Sequence, residues 1–505
     1  MKHGVFFGAI FLGAFLNRSA LAATPCETLS TLTLANAKVT SAVSVAAGAF
    51  VPPAVGGARG GGNAYANLPA FCRVAATLTP GSDSDIKVEL WLPASGWNGK
   101  FQAVGNGGWA GTIPYAAIAA ALSSGYAAAG TDTGHTGATA DFALGHPEKV
   151  IDFGYRSIHE MTVQSKVILS TFYGSSAKYS YYNGCSQGGR QGLAEAQRYP
   201  EDFDGIIAGA SAIDQMRMHA ARTALNLEVN KNPDSVIPRT KYAMINTAVL
   251  NACDAQDGVK DGVVENPEKC KFNYAKLTCK AGDAADCLTK GQVESAKAMT
   301  SPLKDPKTGK TLFAGYLVPG SELGWATLGG AQPLALSVSG MRNVVFSDKS
   351  WSPAQMDVAT DIERAAQSDG GALATRDPNL KPFFDRGGKL LMYHGWSDPQ
   401  VTPLNSVLYY EDVVKTVGKK QAANSIRLFM MPGVNHCSGG PGPDSFEKVK
   451  VMEEWVEQGK APERIVASHS TAGKVDKTRP LCAYDQTAKY NGSGDTNDAA
   501  NFTCK

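Results

Sequence analysis

Apolar and polar positions along this chain follow two rhythms. Residues 24–100 read as β-rich. Residues 88–93 alternate and stop at Pro93, as a strand ending at a breaker does. Residues 101–104 predict a second short strand, and residues 125–130 a buried one. Residues 156–173 carry Ile158, Met161, Val167, Ile168 and Leu169 at helical spacing. His159 lies in that helix, where it reads as a structural hydrogen-bonding group. An aromatic-rich strand over residues 178–183 precedes a helix over residues 189–198, and residues 204–210 form another buried strand. From 211 to 384 the rhythm breaks: cysteines cluster, loops lengthen and buried-strand runs become rare. It resumes with a strand over residues 387–394, a helix over residues 404–415 and a strand over residues 426–430. This alternation predicts an α/β fold, with a mostly parallel central sheet and helices on both faces. The segments are residues 23–210 and 385–505 as two parts of one α/β domain, and residues 211–384 as a large inserted lid.

The chain is organised around Gly184-Cys185-Ser186-Gln187-Gly188, a G-x-S-x-G pattern between a strand and a helix. That context makes it a nucleophile elbow, which presents a serine hydroxyl at the tip of a sharp turn. A serine hydroxyl needs a base, and the base needs an orienting acid. On the α/β-hydrolase fold the order is serine, acid, histidine. Asp398 follows a strand end in His394-Gly395-Trp396-Ser397-Asp398. His436 lies beyond the last core strand in Gly433-Val434-Asn435-His436-Cys437. Gly105-Asn106-Gly107-Gly108 ends an earlier strand, where bare N–H groups approach a substrate oxygen. Gly107 and Gly108 are therefore expected, with the backbone N–H of Gln187, to form an oxyanion hole. Asp132 and His135 lie in a tight turn and read as satisfying backbone groups rather than as catalysts.

Charge and composition narrow the class. A net charge of +2 over 505 residues gives no electrostatic case for a nucleic acid partner. Lys2 and His3, an apolar run over residues 4–16 and Ala20-Leu21-Ala22 form a secretory signal over residues 1–22. The mature protein is expected to be soluble, off the membrane, and secreted or periplasmic. All ten cysteines follow that segment, and an even count in an exported chain favours disulfides. Local neighbours pair as Cys253–Cys270, Cys279–Cys287 and Cys482–Cys504. Cys185 directly precedes the nucleophile and Cys437 directly follows the base. If the three catalytic residues meet, these two cysteines lie close, and a disulfide there would tie the elbow to the histidine loop.

At Cys185-Ser186, Asp398 and His436-Cys437 the chain resembles the tannase and feruloyl esterase family of α/β-hydrolases, across nearly the whole mature chain. The resemblance implies cleavage of aromatic-acid esters of feruloyl or galloyl type, without an organic cofactor. It also implies the Cys185–Cys437 disulfide and leaves Cys26–Cys72 as the remaining pair. A structural Ca²⁺ in the lid is implied at residues 253–263, with the carboxylates of Asp254, Asp257 and Asp261 joined by the carbonyls of Val259 and Val263. Hard oxygen ligands at close spacing suit Ca²⁺. One member type, the mono(2-hydroxyethyl) terephthalate hydrolases, has lid residues similar to Trp325, Arg342, Phe346 and Ser347. Arg342 would then grip a free carboxylate, with His394 placed in the same substrate-binding set. That half-ester is the second substrate expected. A catalytically dead hydrolase fold serving as a binding module is the alternative from another class; loss of a triad member would signal it, and all three are present.

Overall fold

A computed structural model describes residues 24–53, 65–305 and 307–505. The secretory signal lies outside these residues. The strands in chain order are β1 (Thr33–Leu34), β2 (Ala37–Val45), β3 (Phe71–Leu78), β4 (Ile86–Pro93), β5 (Lys100–Val104), β6 (Ala127–Thr131), β7 (Tyr179–Cys185), β8 (Gly205–Gly209), β9 (Leu303–Lys304), β10 (Thr311–Phe313), β11 (Lys389–Gly395), β12 (Ile426–Met431), β13 (Arg464–Thr471), β14 (Lys474–Cys482), β15 (Ala488–Tyr490) and β16 (Phe502–Cys504). Ten of them form one sheet in the order β1-β2-β3-β4-β6-β5-β7-β8-β11-β12. Every pairing from β6 to β12 is parallel, and those from β1 to β6 are antiparallel.

Burial on both faces explains the near-continuous apolar strands. In β11, Leu390 and Met392 join one apolar cluster and Leu391 and Tyr393 the other. The parallel strands need crossover connections. Helices supply them: Ser157–Tyr173 before β7, Gln187–Arg198 between β7 and β8, and Pro403–Val417 between β11 and β12.

The connection from β8 to β11 is the long one. Among the described residues it is mainly helical, with the β9–β10 ribbon as its sheet. Its apolar cluster runs from Ala212 to Leu373 and takes in Trp109, Phe153 and Val401 from the sheet domain. The segment thus packs over the end of the sheet from which the β5, β7, β11 and β12 loops emerge. Because β5, β7, β8, β11 and β12 run parallel, their carboxyl ends share one edge, where open α/β sheets place their ligand crevices. The antiparallel β13–β14 hairpin near the carboxyl terminus had no counterpart in the sequence reading. Its first strand alternates buried and exposed positions over only four residues.

Candidate active site

Ser186 connects β7 to the helix Gln187–Arg198 with φ 64° and ψ −122°, a conformation L-residues seldom adopt. Neighbouring glycines permit it. A Cβ on Gly184 would lie 2.5 Å from the Gly188 carbonyl carbon, and one on Gly105 would lie 2.6 Å from the Gly188 Cα. The Ser186 N–H donates to the Gly209 carbonyl at 2.9 Å, and the Gly188 N–H to the Asn106 carbonyl at 2.8 Å. Gln187 is the first residue of the helix, where N–H groups have no intrahelical partner.

The loop after β5 is anchored rather than free. The Asn106 N–H donates to Gln191 Oε1 at 3.1 Å, and Gln191 Nε2 donates to Asn106 Oδ1 at 3.2 Å. Asn106 Nδ2 reaches the Thr131 carbonyl, and Trp109 Nε1 the Leu336 carbonyl. Gly107 and Gly108 ride on this clasp, Gly108 with φ +55°. Sequence reading missed Asn106 and Gln191: a polar residue inside a glycine loop and one on a helix carry no periodic signal.

His436 and Asp398 arrive from the neighbouring strand ends. His436 Nε2 lies 2.8 Å from Ser186 Oγ, and its Nδ1 lies 2.6 Å from Asp398 Oδ2. Asp398 Oδ1 accepts the N–H groups of Gln400 at 2.7 Å and Val401 at 2.9 Å. Oδ2 also meets His394 Nε2 at 3.1 Å. Burial alone would raise this carboxyl, but its hydrogen bonds to His394 and His436 hold it far below the ordinary carboxylate range. His394 is fully buried, with Nε2 also 3.1 Å from the Val401 carbonyl and Nδ1 2.8 Å from Ser406 Oγ. Two acceptors at Nε2 place its proton there. His394 therefore stands behind the acid and away from the cleft, and not in the substrate set where sequence reading put it.

The ten cysteines form five disulfides: Cys26–Cys72, Cys185–Cys437, Cys253–Cys270, Cys279–Cys287 and Cys482–Cys504. Among the described residues no helix is long and apolar enough to cross a membrane. Asp132 and His135 bond as turn residues do. Asp132 Oδ1 accepts the Lys87 and Gly134 N–H groups, and His135 Nε2 lies 2.9 Å from the Trp109 carbonyl.

The cleft beside Ser186 has walls from Gly108, Trp109, Gln187, Leu336 and Val401, and from one face of the lid helix Gln215–Val229. That face carries Gln215, Met218, His219 and Arg222, spaced i, i+3, i+4 and i+7. Sequence reading passed over it. Mixed polar and apolar residues at this spacing read as an ordinary helix flank until the sheet's edge is placed against it.

None of the lid residues expected to bind substrate lines that cleft. Trp325 is fully buried in the lid core beside Tyr242 and Tyr274, with Nε1 donating to Ser321 Oγ. Arg342 donates from Nε to the Trp351 carbonyl at 3.1 Å. Phe346 stacks on Trp351, and Ser347 is exposed. The arginine at the cleft is Arg222.

In the loop at 253–263, Asp254 accepts the N–H groups of Asp261 and Gly262, and Asp257 accepts that of Val259. Asp261 is met by Arg479 at 2.6 Å and by Lys477 at 3.4 Å. Val259 and Val263 are buried. Glu265, which sequence reading missed, is pushed up to about 8 by burial and by repulsion from Asp257 and Asp261. Asp257 is likewise raised by burial and by Asp261. The donor atoms are all oxygen, the kind a hard dication takes, and Asp254 and Asp257 are buried. The three side-chain ligand atoms gathered within 4.8 Å among the described residues belong instead to His159, Glu195 and Asp202.

A parallel-cored sheet, an elbow serine and a lid over the carboxyl edge define an α/β-hydrolase. The profile described as "Tannase and feruloyl esterase" matches residues 72–505, and the chain belongs to that family. An uncharacterized esterase from Xanthomonas campestris is 36% identical, covering 98% of this chain and 93% of its own. Feruloyl esterase C of Talaromyces stipitatus is 34% identical over 86% of each chain. The crystal structure of feruloyl esterase B from Aspergillus oryzae superposes with a TM-score of 0.87 at 31% identity, covering 95% of this chain and 99% of that one.

Proposed function

We propose that this protein is an exported serine esterase that cleaves esters of aromatic acids of feruloyl, hydroxycinnamoyl or galloyl type through an acyl-enzyme. The observation that carries the reading is the unbroken contact from Ser186 Oγ through the His436 ring to Asp398 Oδ2. The names of the relatives support the ester class.

In this reading His436 Nε2 takes the Ser186 proton as Oγ forms its bond to the ester carbonyl carbon. Asp398 accepts from His436 Nδ1–H, so it fixes the tautomer and stabilises the imidazolium. The Gln187 N–H and the Gly107–Gly108 segment face the charge on the tetrahedral oxygen. The C–O bond to the alcohol then breaks, and His436 returns its proton to the departing oxygen. Water, deprotonated by the same imidazole, attacks the acyl carbon; Ser186 leaves and regains its proton. The intact contact chain weighs against an inert binding module. Arg342 donates to a backbone carbonyl outside the cleft, so the terephthalate half-ester loses the residue from which it was argued.

Asp254, Asp257 and Asp261, the carbonyls of Val259 and Val263, and Glu265 would hold a structural Ca²⁺ that pins the lid. Five disulfides and the signal-like leader support export.

Purified protein should release the acid from methyl ferulate or methyl gallate, and Ser186→Ala should lose at least about 10³-fold in kcat. Folded wild-type protein that turns over neither ester would overturn the reading.

A further inference from the structure

Glu195 lies in the last turn of the helix Gln187–Arg198 and is 0% exposed. Neither of its carboxyl oxygens has a hydrogen-bond partner among the described residues. A carboxyl group so deeply buried is paired, protonated or bound to a metal ion. Its neighbours favour the metal. Asp202, at 3% exposure, and His159 bring ligand atoms to within 4.8 Å of that of Glu195 and of one another. The catalytic reading leaves this trio unused, and it stands at the opposite end of the helix from Ser186.

The trio is held from several sides. The Asp202 N–H donates to the Tyr199 carbonyl at 3.0 Å, and the Tyr199 N–H to the Glu195 carbonyl at 2.9 Å. One hydrogen-bonded segment thus carries both carboxyl groups. His159 comes from the helix Ser157–Tyr173; its Nδ1 lies 2.7 Å from Asp202 Oδ2, and its ring stacks on Tyr199 at 3.7 Å. Lys166 of the same helix donates to the Asp202 backbone carbonyl. Glu160 and Glu201 add negative charge around His159. Burial, and then the charge of Asp202, push the Glu195 carboxyl well above the ordinary carboxylate range. Both acids can be charged together only with a cation between them.

The donor atoms select the ion. Imidazole suits Zn²⁺ and its transition-metal neighbours, whereas sets made only of oxygen suit Ca²⁺ or Mg²⁺. One imidazole nitrogen with two carboxylates therefore differs in kind from the loop at 253–263. Zn²⁺ takes three protein side chains together with a water in an open fourth position. The His159 side chain is 22% exposed, which leaves that position and the entry path to water. The stack on Tyr199 fixes the ring's orientation, as groups behind a metal ligand do. Binding releases the proton held between His159 Nδ1 and Asp202 Oδ2 and frees both residues to ligate.

We propose that His159, Glu195 and Asp202 form a zinc site that clamps the helix Ser157–Tyr173 to the carboxyl-terminal end of the helix Gln187–Arg198. The ion neutralises the buried carboxylates and has a structural role. The site stands apart from Ser186 and does not depend on the esterase reading.

The test loads untagged full-chain protein with Zn²⁺ in the presence of excess Ca²⁺, removes loose metal by dialysis and measures bound zinc by plasma mass spectrometry. About one zinc per chain is expected in wild type, and none in His159→Phe or Glu195→Gln. Zn²⁺ should raise the wild-type Tm by about 2 °C or more and leave the Tm of both variants unmoved. Phenylalanine keeps an aromatic ring against Tyr199 and glutamine keeps the shape of Glu195, so circular dichroism should match wild type. Wild-type protein that takes up no zinc overturns the proposal and leaves Glu195 and Asp202 sharing a proton. Zinc held by a folded variant at the wild-type level lies elsewhere and also overturns it. If neither variant folds, X-ray absorption at the zinc edge of the wild type decides. A single imidazole among oxygen ligands supports the site, and a shell with several imidazoles or with sulfur overturns it.

Discussion

Cys185 and Cys437 are bonded across 252 residues of sequence, with their Cα atoms 6.1 Å apart. One precedes Ser186 and the other follows His436. Their tether holds together two loops that each contain a left-handed residue, Ser186 and Cys437, both with φ 64°. Residues held there cost about 1–3 kcal/mol each and persist when their surroundings over-determine them. The double replacement Cys185→Ala/Cys437→Ala should destabilise the protein by about 2–5 kcal/mol. It should also lower kcat/KM about 10- to 100-fold, as loosening a catalytic constellation does. Urea unfolding and steady-state kinetics on a methyl ester measure both; unchanged kinetics would remove the tether from the account.

His394 meets Asp398 Oδ2 from the buried side while His436 meets it from the cleft. His394→Phe should lower kcat about 10- to 100-fold through misplacement of the acid, with a smaller effect on KM. An equal loss expressed only in KM would place His394 in substrate binding instead.

Asp398 is held far below the ordinary carboxylate range, so it stabilises the fold in its charged form. The contribution is present in full above about pH 4 and fades as the pH falls below that value, where the unfolded chain takes up a proton first. The stability gap between wild type and Asp398→Asn, read as urea midpoints, should therefore be constant from pH 7 to pH 5. It should narrow below about pH 4. A gap that widens on acidification contradicts the assignment.

Arg342 donates to the Trp351 carbonyl, and the Phe346 and Trp351 rings stack on each other. Arg342→Ala should leave the ratio of rates on mono(2-hydroxyethyl) terephthalate and methyl ferulate within about twofold of wild type. A selective loss on the half-ester would bring Arg342 back to the substrate.

If the 253–263 loop and Glu265 hold Ca²⁺, chelation should destabilise the lid. EDTA should lower Tm by about 5 °C or more, with recovery on adding Ca²⁺. Differential scanning fluorimetry together with metal analysis of the purified protein checks it. Metal-free protein with a Tm indifferent to EDTA and Ca²⁺ would remove the site.

The parts of this molecule legible in the sequence are those set by short-range pattern. The β7–Ser186–helix unit is written in consecutive residues, and the buried runs of β8, β11 and β12 mark parallel strands. Asp398 and His436 follow from chain order and strand ends. What escaped depends on packing between distant segments. Gln215, His219 and Arg222 matter because the lid helix lies against the sheet's carboxyl edge, which no local pattern encodes. Asn106 and Gln191 bond across 85 residues. Glu265 is a single acid two residues past the loop that sequence reading weighed. Arg342 and Trp325 were placed by likeness alone, and the lid's own core decided where they stand.

The central claim is that Ser186 is a nucleophile activated by His436 and oriented through Asp398. Intact-mass analysis after exposure to a fluorophosphonate, with peptide mapping, tests it most directly. The account predicts one adduct on Ser186, lost in Ser186→Ala and slowed at least about 100-fold in His436→Ala. Folded wild-type protein that stays unlabelled, or that carries its adduct on another residue, would contradict it.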